Sequence, residues 1–497
     1  MENKMDDLYI FEMANNHQGS VQHGIKIIKE MGKIARKCNI KAAVKLQYRD
    51  IDNFIHPDYK DRKDVKHVER FQSTKLTFDQ FNELIEAIRD ENLIPMSTPF
   101  DETGVEWCND QGLDIIKIAS CSSMDWPLLE AAVDAHKLLI VSTGGKNLSD
   151  IDKIYNFLTH RNAKFAFMHC VAEYPAPDNQ IQLDFIDKMR KRYYQVPIGY
   201  SGHEDPESTL VPMMAVAKGV RIFERHVGVE AEGIKLNAYT MNPEQTMNWV
   251  CAIERAKEIC SLKGRDDKYV TQEEIDSLRS LMRGVYAEKD IKCNDLMKKE
   301  DVFFAMPCLE GQMTSGEFYE ECEATREYTA NAPIIERKRV TDINIIRNVV
   351  HEAKGMLYEA GIVLGNNVEV ELSHHYGINH VRQTGAIIIN VINREYCKKI
   401  IVILPGQFHP NHMHKKKEET FQLLYGELKL QIGNTSKVLI PGDIQTIERE
   451  VCHSFSSEKG AIFEEISTTH IKDDSYYEDV RINKMDIIER KTIIRKW

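Results

Sequence analysis

The sequence contains no apolar run of about 18 residues, the length at which a transmembrane helix is expected, so none is predicted. It has no excess of positive charge. Its formal net charge of −12 argues against a general nucleic-acid partner and leaves no basic face for a membrane surface. The start, MENKMDDLYIFEMANNHQG, puts acids ahead of an apolar run of only a few residues, which is not the pattern of a secretory signal. None of the eleven cysteines forms a CxxC pair. Scattered as Cys38, Cys121, Cys170 and Cys251 are, they read as reduced core thiols of a cytoplasmic protein. Low-complexity segments and a GxGxxG turn are also missing. What remains, 42% hydrophobic and 29% charged residues, is the composition of a soluble globular protein. A length of 497 residues suggests roughly two to four domains.

Up to about residue 260, short apolar runs alternate with amphipathic stretches. The runs are LYIFEMA (8–14), AAVKLQ (42–47), LIPMSTPF (93–100), DIIKIAS (114–120), LLIVSTG (138–144), KFAFMHC (164–170), VPIGYSG (196–202) and RIFERHVG (221–228). Between them lie stretches such as GIKIIKEMGKIARKC and TFDQFNELIEAIRDEN, with apolar residues at helical spacing. TFDQ places a capping Thr or Asp before its helix. Eight buried strands alternating with helices over about 250 residues predict an α/β fold, a (β/α)8 TIM barrel, in preference to a doubly wound open sheet. The runs also end in polar, reactive residues, and barrels carry their active sites at the C-terminal ends of their strands.

Among those ends, His203 in GYSGH and His226 in FERHVG fall on successive strands, where paired imidazoles hold a divalent transition metal. Glu12, at the end of the first strand, neighbours the eighth in a closed barrel and is placed either to complete that metal shell or to act as a base. Lys45 and Lys117 lie in strands too apolar to hold an ammonium without an anion, because an unpaired buried charge costs several kcal/mol. A small polyanionic substrate supplies such a partner, with Ser120 and Ser201 as hydroxyl donors.

FEMANNHQG, VKLQ, STPFD, IKIAS, STGG, MHCVAEYP, GYSGH and ERHVG, in that order, resemble the sialic acid synthase family of phosphoenolpyruvate-dependent nonulosonic acid synthases. The resemblance spans about residues 8–260. It implies a transferase that condenses phosphoenolpyruvate with an open-chain amino sugar or aldose aldehyde and releases phosphate. It also implies that His203 and His226 bind a metal, usually Mn²⁺. Lys45, Lys117, Ser120 and Ser201 would hold the phosphoenolpyruvate carboxylate and phosphate. Glu12 and Asn16 would sit near the metal and the sugar, making Glu12, His203 and His226 the expected catalytic set. Three departures concern the acceptor. Ala172 stands where the family has a small polar residue, Leu236 and Asn237 replace an Asp-His pair, and GYSGHE replaces GYSDHT.

Residues 261–283 read as a charged helical connector. Residues 284–339 resemble the small antifreeze-like (SAF) domain that follows the barrel in this family and implies a homodimer. Farther on, Gly406, His412, His414, Glu419 and Gly426 resemble the first cupin motif, and IPGD with His453 the second. His412 and His414 share one strand face, and the turn brings Glu419 and His453 to join them. Three imidazoles and a carboxylate suit a second divalent transition metal. His409 and the run Lys415–Lys417 are expected on a solvated rim. The expected organisation is therefore a TIM-barrel synthase domain over 1–265, a linker and SAF domain over 266–339, and a β-barrel cupin over 340–497 that binds or isomerises a sugar. Two other readings stay open: a phosphosugar aldolase or isomerase with Lys45 or Lys117 as imine-forming nucleophile, and a sugar-binding regulatory protein with a repurposed barrel.

Overall fold

A computed structural model describes residues 5, 7–261, 267–336, 341–365, 368–471 and 474–495. The chain forms two compact units, Met1–Tyr269 and Val270–Trp497. The expected domain boundaries at 265/266 and 339/340 lie outside the described residues. Among the described residues, no helix is long and apolar enough to cross a membrane.

In the first unit, eight parallel strands close into a barrel in sequential order: β1 (Leu8–Glu12), β2 (Lys41–Tyr48), β3 (Ile94–Pro99), β4 (Ile115–Ile118), β5 (Leu138–Ser142), β6 (Phe165–Cys170), β7 (Ile198–Gly202) and β8 (Ile222–His226). Each apolar run of the sequence supplies one strand. Ser20 caps the helix Val21–Cys38, and Thr77, not Asp79, caps the helix Phe78–Asp90 in a reciprocal box with Gln80.

Strand periodicity divides the side chains between two cores. Tyr9 and Phe11 of β1, Val44 and Leu46 of β2 and Phe223 of β8 point outward into the core shared with the helices. Leu8, Ile10, Ala43, Met96, Ile115, Ile140, Met168 and Ile222 fill the lower interior of the barrel. Two residues on from this apolar floor, the same inward register reaches Glu12, Lys45, Lys117, Ser142 and Glu224. Not every polar strand end joins them. His169 turns outward and bonds the Ile181 carbonyl at 2.7 Å.

The second unit begins with the helix Gln272–Leu281 and two short antiparallel pairs. β9 (Gly284–Ala287) pairs with β11 (Val302–Ala305), and β10 (Leu296–Met297) with β12 (Cys322–Glu323), around a core including Val285, Met297, Met313 and Ile334. After the helix Asp342–Glu359 come β13 (Glu369–Ser373), β14 (Ala386–Asn393), β15 (Tyr396–Ile403), β16 (Phe408–His414), β17 (Glu419–Gly426), β18 (Leu428–Ile432), β19 (Thr435–Leu439), β20 (Ile444–Ile447), β21 (His453–Ser456), β22 (Ala461–Thr468), β23 (Ser475–Tyr477) and β24 (Lys491–Ile494). They form a seven-stranded antiparallel sheet, β20-β17-β22-β15-β14-β13-β24, and a five-stranded one, β19-β18-β21-β16-β23. Phe421 and Phe463 from the first meet Leu430 and Phe455 from the second in a common core.

Candidate functional site

The barrel register dictates the site at its mouth. Glu12 lies opposite Lys45 in the β1–β2 pairing and opposite His226 in the β1–β8 pairing, while Ser201 lies opposite Glu224 between β7 and β8. The Lys45 ammonium binds Glu12 and reaches Glu224 Oε1 at 3.0 Å. Lys117 donates to Ser142 Oγ at 2.6 Å and lies 3.6 Å from Glu224. Ser201 donates to Glu224 Oε1 at 2.9 Å. All of these groups are buried. Burial opposes charge on Glu224, but Lys117 and Lys45 overcome it and hold the carboxyl well below the glutamate range. For Lys45, Glu12 and Glu224 likewise outweigh burial and raise the ammonium, whereas at Lys117 burial wins and lowers it.

Glu224 is the hub that sequence reasoning assigned no role. Its inward register two residues before His226 was the available signal. Its Oε2 is buried with no hydrogen-bond partner. Ser120 accepts the Gly144 amide at 3.0 Å, and its Oγ stands 2.7 Å from where a Cβ on residue 144 would lie, so only glycine permits this approach. Asn16 donates to the Val227 carbonyl at 2.8 Å beside the end of β8.

His203 and His226 face each other with ring centroids 5.5 Å apart. The Val171 carbonyl engages His203 Nδ1 at 2.9 Å, leaving Nε2 free for a ligand bond. Burial lowers His203 to about 4, and burial together with His203 pushes His226 well below the usual histidine value, so both rings are neutral and offer lone pairs. Glu12 does not join them: its carboxylate is taken by Lys45 and by the Ala14 amide at 2.6 Å. The two imidazoles therefore fit a divalent transition metal whose other positions go to substrate or water. A clamp not read from the sequence fixes their spacing. Arg225, next to His226, binds Glu204, next to His203, at 2.5 Å, and Tyr200 donates to the same carboxylate at 2.9 Å. Where the family's Asp-His pair would fall, Asn237 accepts the Thr240 hydroxyl at 2.6 Å.

In the second unit, the ligand atoms of His412, His414, Glu419 and His453 lie within 4.8 Å of one another, all four residues buried. His412 and His453 are direct partners across β16 and β21. Backbone carbonyls of Pro410, Asp474 and Val451 engage Nδ1 of His412, His414 and His453 at 3.0, 2.7 and 3.2 Å. The Nε2 atoms of His414 and His453 turn toward the Glu419 carboxylate, 3.3 Å from Oε1 and 3.1 Å from Oε2. Buried ligand atoms oriented from behind and converging in front fit a divalent transition metal.

The expected solvated rim is corrected in part. His409 is 4% exposed and lines the adjoining cavity, because a register shift between His409 and His412 bulges β16 and restores His409 to the inner face. Lys417 is 3% exposed, bound to Glu419 and to Glu465 at 3.0 Å. Only Lys415 and Lys416 are exposed. The cavity, of about 230 Å³, is also lined by Lys399, Glu465 and Tyr477.

The model of the NeuB family matches residues 32–264. The chain is 41% identical to the crystal structure of a putative spore coat polysaccharide biosynthesis protein E from Chromobacterium violaceum. That match covers 66% of this chain and 98% of the other, with a TM-score of 0.64. The chain belongs to the NeuB family. Other similar proteins are the N-acetylneuraminate-9-phosphate synthase of Drosophila melanogaster, 30% identical over 45% of this chain and 60% of that protein, and the N,N'-diacetyllegionaminic acid synthase of Campylobacter jejuni, 27% identical over 49% and 72%. As a member of the NeuB family, the chain is an enzyme, a transferase of sugar-acid synthesis in glycan biosynthesis.

Proposed function

We propose that the barrel condenses phosphoenolpyruvate with the aldehyde of an open-chain aldose or amino sugar, forming a nonulosonic-type sugar acid and releasing phosphate. The buried Lys45–Glu224–Lys117 network carries this reading. The Lys45 and Lys117 side chains, buried and converging on Glu224 with Ser201 on the same carboxylate, would bind the carboxylate and phosphate of phosphoenolpyruvate, with Ser120 as a further hydroxyl donor. Held there, phosphoenolpyruvate attacks the aldehyde carbon through C3. Water adds at C2, and the tetrahedral adduct collapses by C–O cleavage, the electron pair leaving with phosphate. In this reading Glu12, next to Lys45 at the end of β1, would pass from its Lys45 contact to take the proton of that water, and Asn16, beside the end of β8, would meet the acceptor. A divalent metal held by His203 and His226, Mn²⁺ by family resemblance, would supply Lewis-acid polarisation of the aldehyde oxygen.

The antiparallel domain reads as a cupin, with a second divalent metal at His412, His414, Glu419 and His453 and a cavity that binds or isomerises a sugar. Lysines and carboxylates of both signs around the cavity suit a polyhydroxylated ligand. Residues 284–339 read as the SAF domain, and the enzyme as a homodimer, to be checked by light scattering. The reaction itself is tested by following phosphoenolpyruvate consumption and phosphate release with Mn²⁺ over a panel of aldoses, amino sugars and their phosphates. Consumption that depends on one acceptor supports the synthase, and none with any acceptor counts against it.

A further inference from the structure

Along β8, Glu224 and His226 face the barrel interior, so Arg225 between them faces outward, toward the core shared with the helices. Its direct partner across the β7–β8 pairing is Gly202, the residue before His203. The Arg225 guanidinium spans this junction. One nitrogen donates to Glu204 Oε1 at 2.5 Å and another to the Glu204 backbone carbonyl at 2.9 Å. Tyr200, whose ring lies in the outer core, donates its hydroxyl to Glu204 Oε2 at 2.9 Å. The Arg225 and Glu204 side chains are completely buried. The residue after one histidine is thus tied, by side chain and main chain, to the residue before the other.

Stability does not account for this pair. Two charges withdrawn from water cost about what their attraction returns, and apolar residues of similar volume often serve as well or better. The Arg225 Nε is also buried without a partner, which adds to the cost. What a charged, two-pronged contact supplies, and a hydrocarbon contact does not, is a fixed direction. Gly202 is part of the same arrangement. A Cβ there would stand 2.3 Å from Glu204 Oε2 and 2.8 Å from the Tyr200 ring, and the bonds from Arg225 and Tyr200 hold Glu204 against yielding. Gly202 and Glu204 are the two positions at which GYSGHE departs from the family's GYSDHT. The first departure makes room for the second.

We propose that Gly202, Glu204 and Arg225 form one positioning unit that presets the separation of His203 and His226 for a divalent metal. The unit lies on the outer side of the strand ends and acts only through the two histidines. This rests on the metal assigned to those histidines in the synthase reading above, and adds what holds them ready for it.

Equilibrium dialysis of the full chain against Mn²⁺ reads the effect without turnover, the barrel site being the one lost in His203→Ala. The variant Tyr200→Phe/Glu204→Met/Arg225→Met removes both charges together and leaves no stranded hydroxyl, so it should fold and melt close to wild type. It should nevertheless bind Mn²⁺ at the barrel site at least about tenfold more weakly. Arg225→Lys, whose compact ammonium does not span both the carboxylate and the carbonyl, should bind with intermediate affinity. An apolar variant that folds and binds Mn²⁺ as the wild type does overturns the proposal, because a merely structural pair is replaceable. Should that variant not fold, Arg225→Lys decides: weakened Mn²⁺ binding sustains the proposal and wild-type affinity overturns it. If His203→Ala loses no Mn²⁺ site, the metal assignment itself fails and the proposal with it, a result distinct from a site lost in His203→Ala but kept in the apolar variant.

Discussion

Lys45 of β2 and Glu224 of β8 meet at 3.0 Å inside the barrel, on either side of the intervening strand β1. The contact joins the first-half and second-half ends of the closed sheet and leaves a lysine ionised where water does not reach. Replacing Lys45 with Met should therefore lower kcat/KM by roughly a thousandfold, about 4 kcal/mol of transition-state stabilisation. Activity within tenfold of wild type would make Lys45 a structural residue.

His17 gives the fold a built-in acid sensitivity. Its ring is 2% exposed, its Nδ1 accepts the Gly19 amide at 3.1 Å, and burial lowers it to about 4. The unfolded chain binds the proton near 6.5 and the folded chain near 4. Stability contributed by the neutral ring is thus complete above about 6.5 and is lost as pH falls toward 4, by about 3 kcal/mol. Urea unfolding between those limits should show a shallower pH slope for His17→Gln than for wild type. Equal slopes would contradict the assignment.

The extent to which the site was legible follows from where each residue stands. Parallel barrel strands are buried on both faces, so they appear as apolar runs, and the inward groups Glu12, Lys45, Lys117 and His226 stand out against them. His412 and His414 were legible because they alternate on one strand. His409 was not, because a bulge breaks that alternation, and the only hint was Pro410 inside the strand. Glu224 and Glu204 were hidden for a different reason. A carboxylate's partner comes from another strand or loop, and a single sequence does not show which.

Chelation and substitution should separate the two metal sites. His453→Ala removes one imidazole from the cluster of the antiparallel domain and should lower its affinity for a divalent transition metal at least tenfold. It should leave metal binding by His203 and His226 unchanged. Equilibrium dialysis with metal analysis checks this, and two sites lost together would contradict independent binding.

Lys417 neutralises both Glu419 and Glu465. Lys417→Met leaves these buried carboxylates short of a cation and should destabilise the domain by about 3–5 kcal/mol. Saturating divalent metal should restore part of that, since the ion supplies charge to Glu419. A melting temperature unchanged in the metal-free variant would contradict the burial of this pair.

The central claim is C–O cleavage of phosphoenolpyruvate at the lysine-lined mouth of the barrel. The most direct measurement uses phosphoenolpyruvate isotopically labelled in its bridging oxygen, incubated with enzyme, Mn²⁺ and an accepted sugar, followed by mass analysis of both products. The account predicts that the label leaves with phosphate and that Lys45→Met and Lys117→Met suppress the reaction. Label retained in the sugar acid, or consumption of phosphoenolpyruvate without an acceptor, would contradict it.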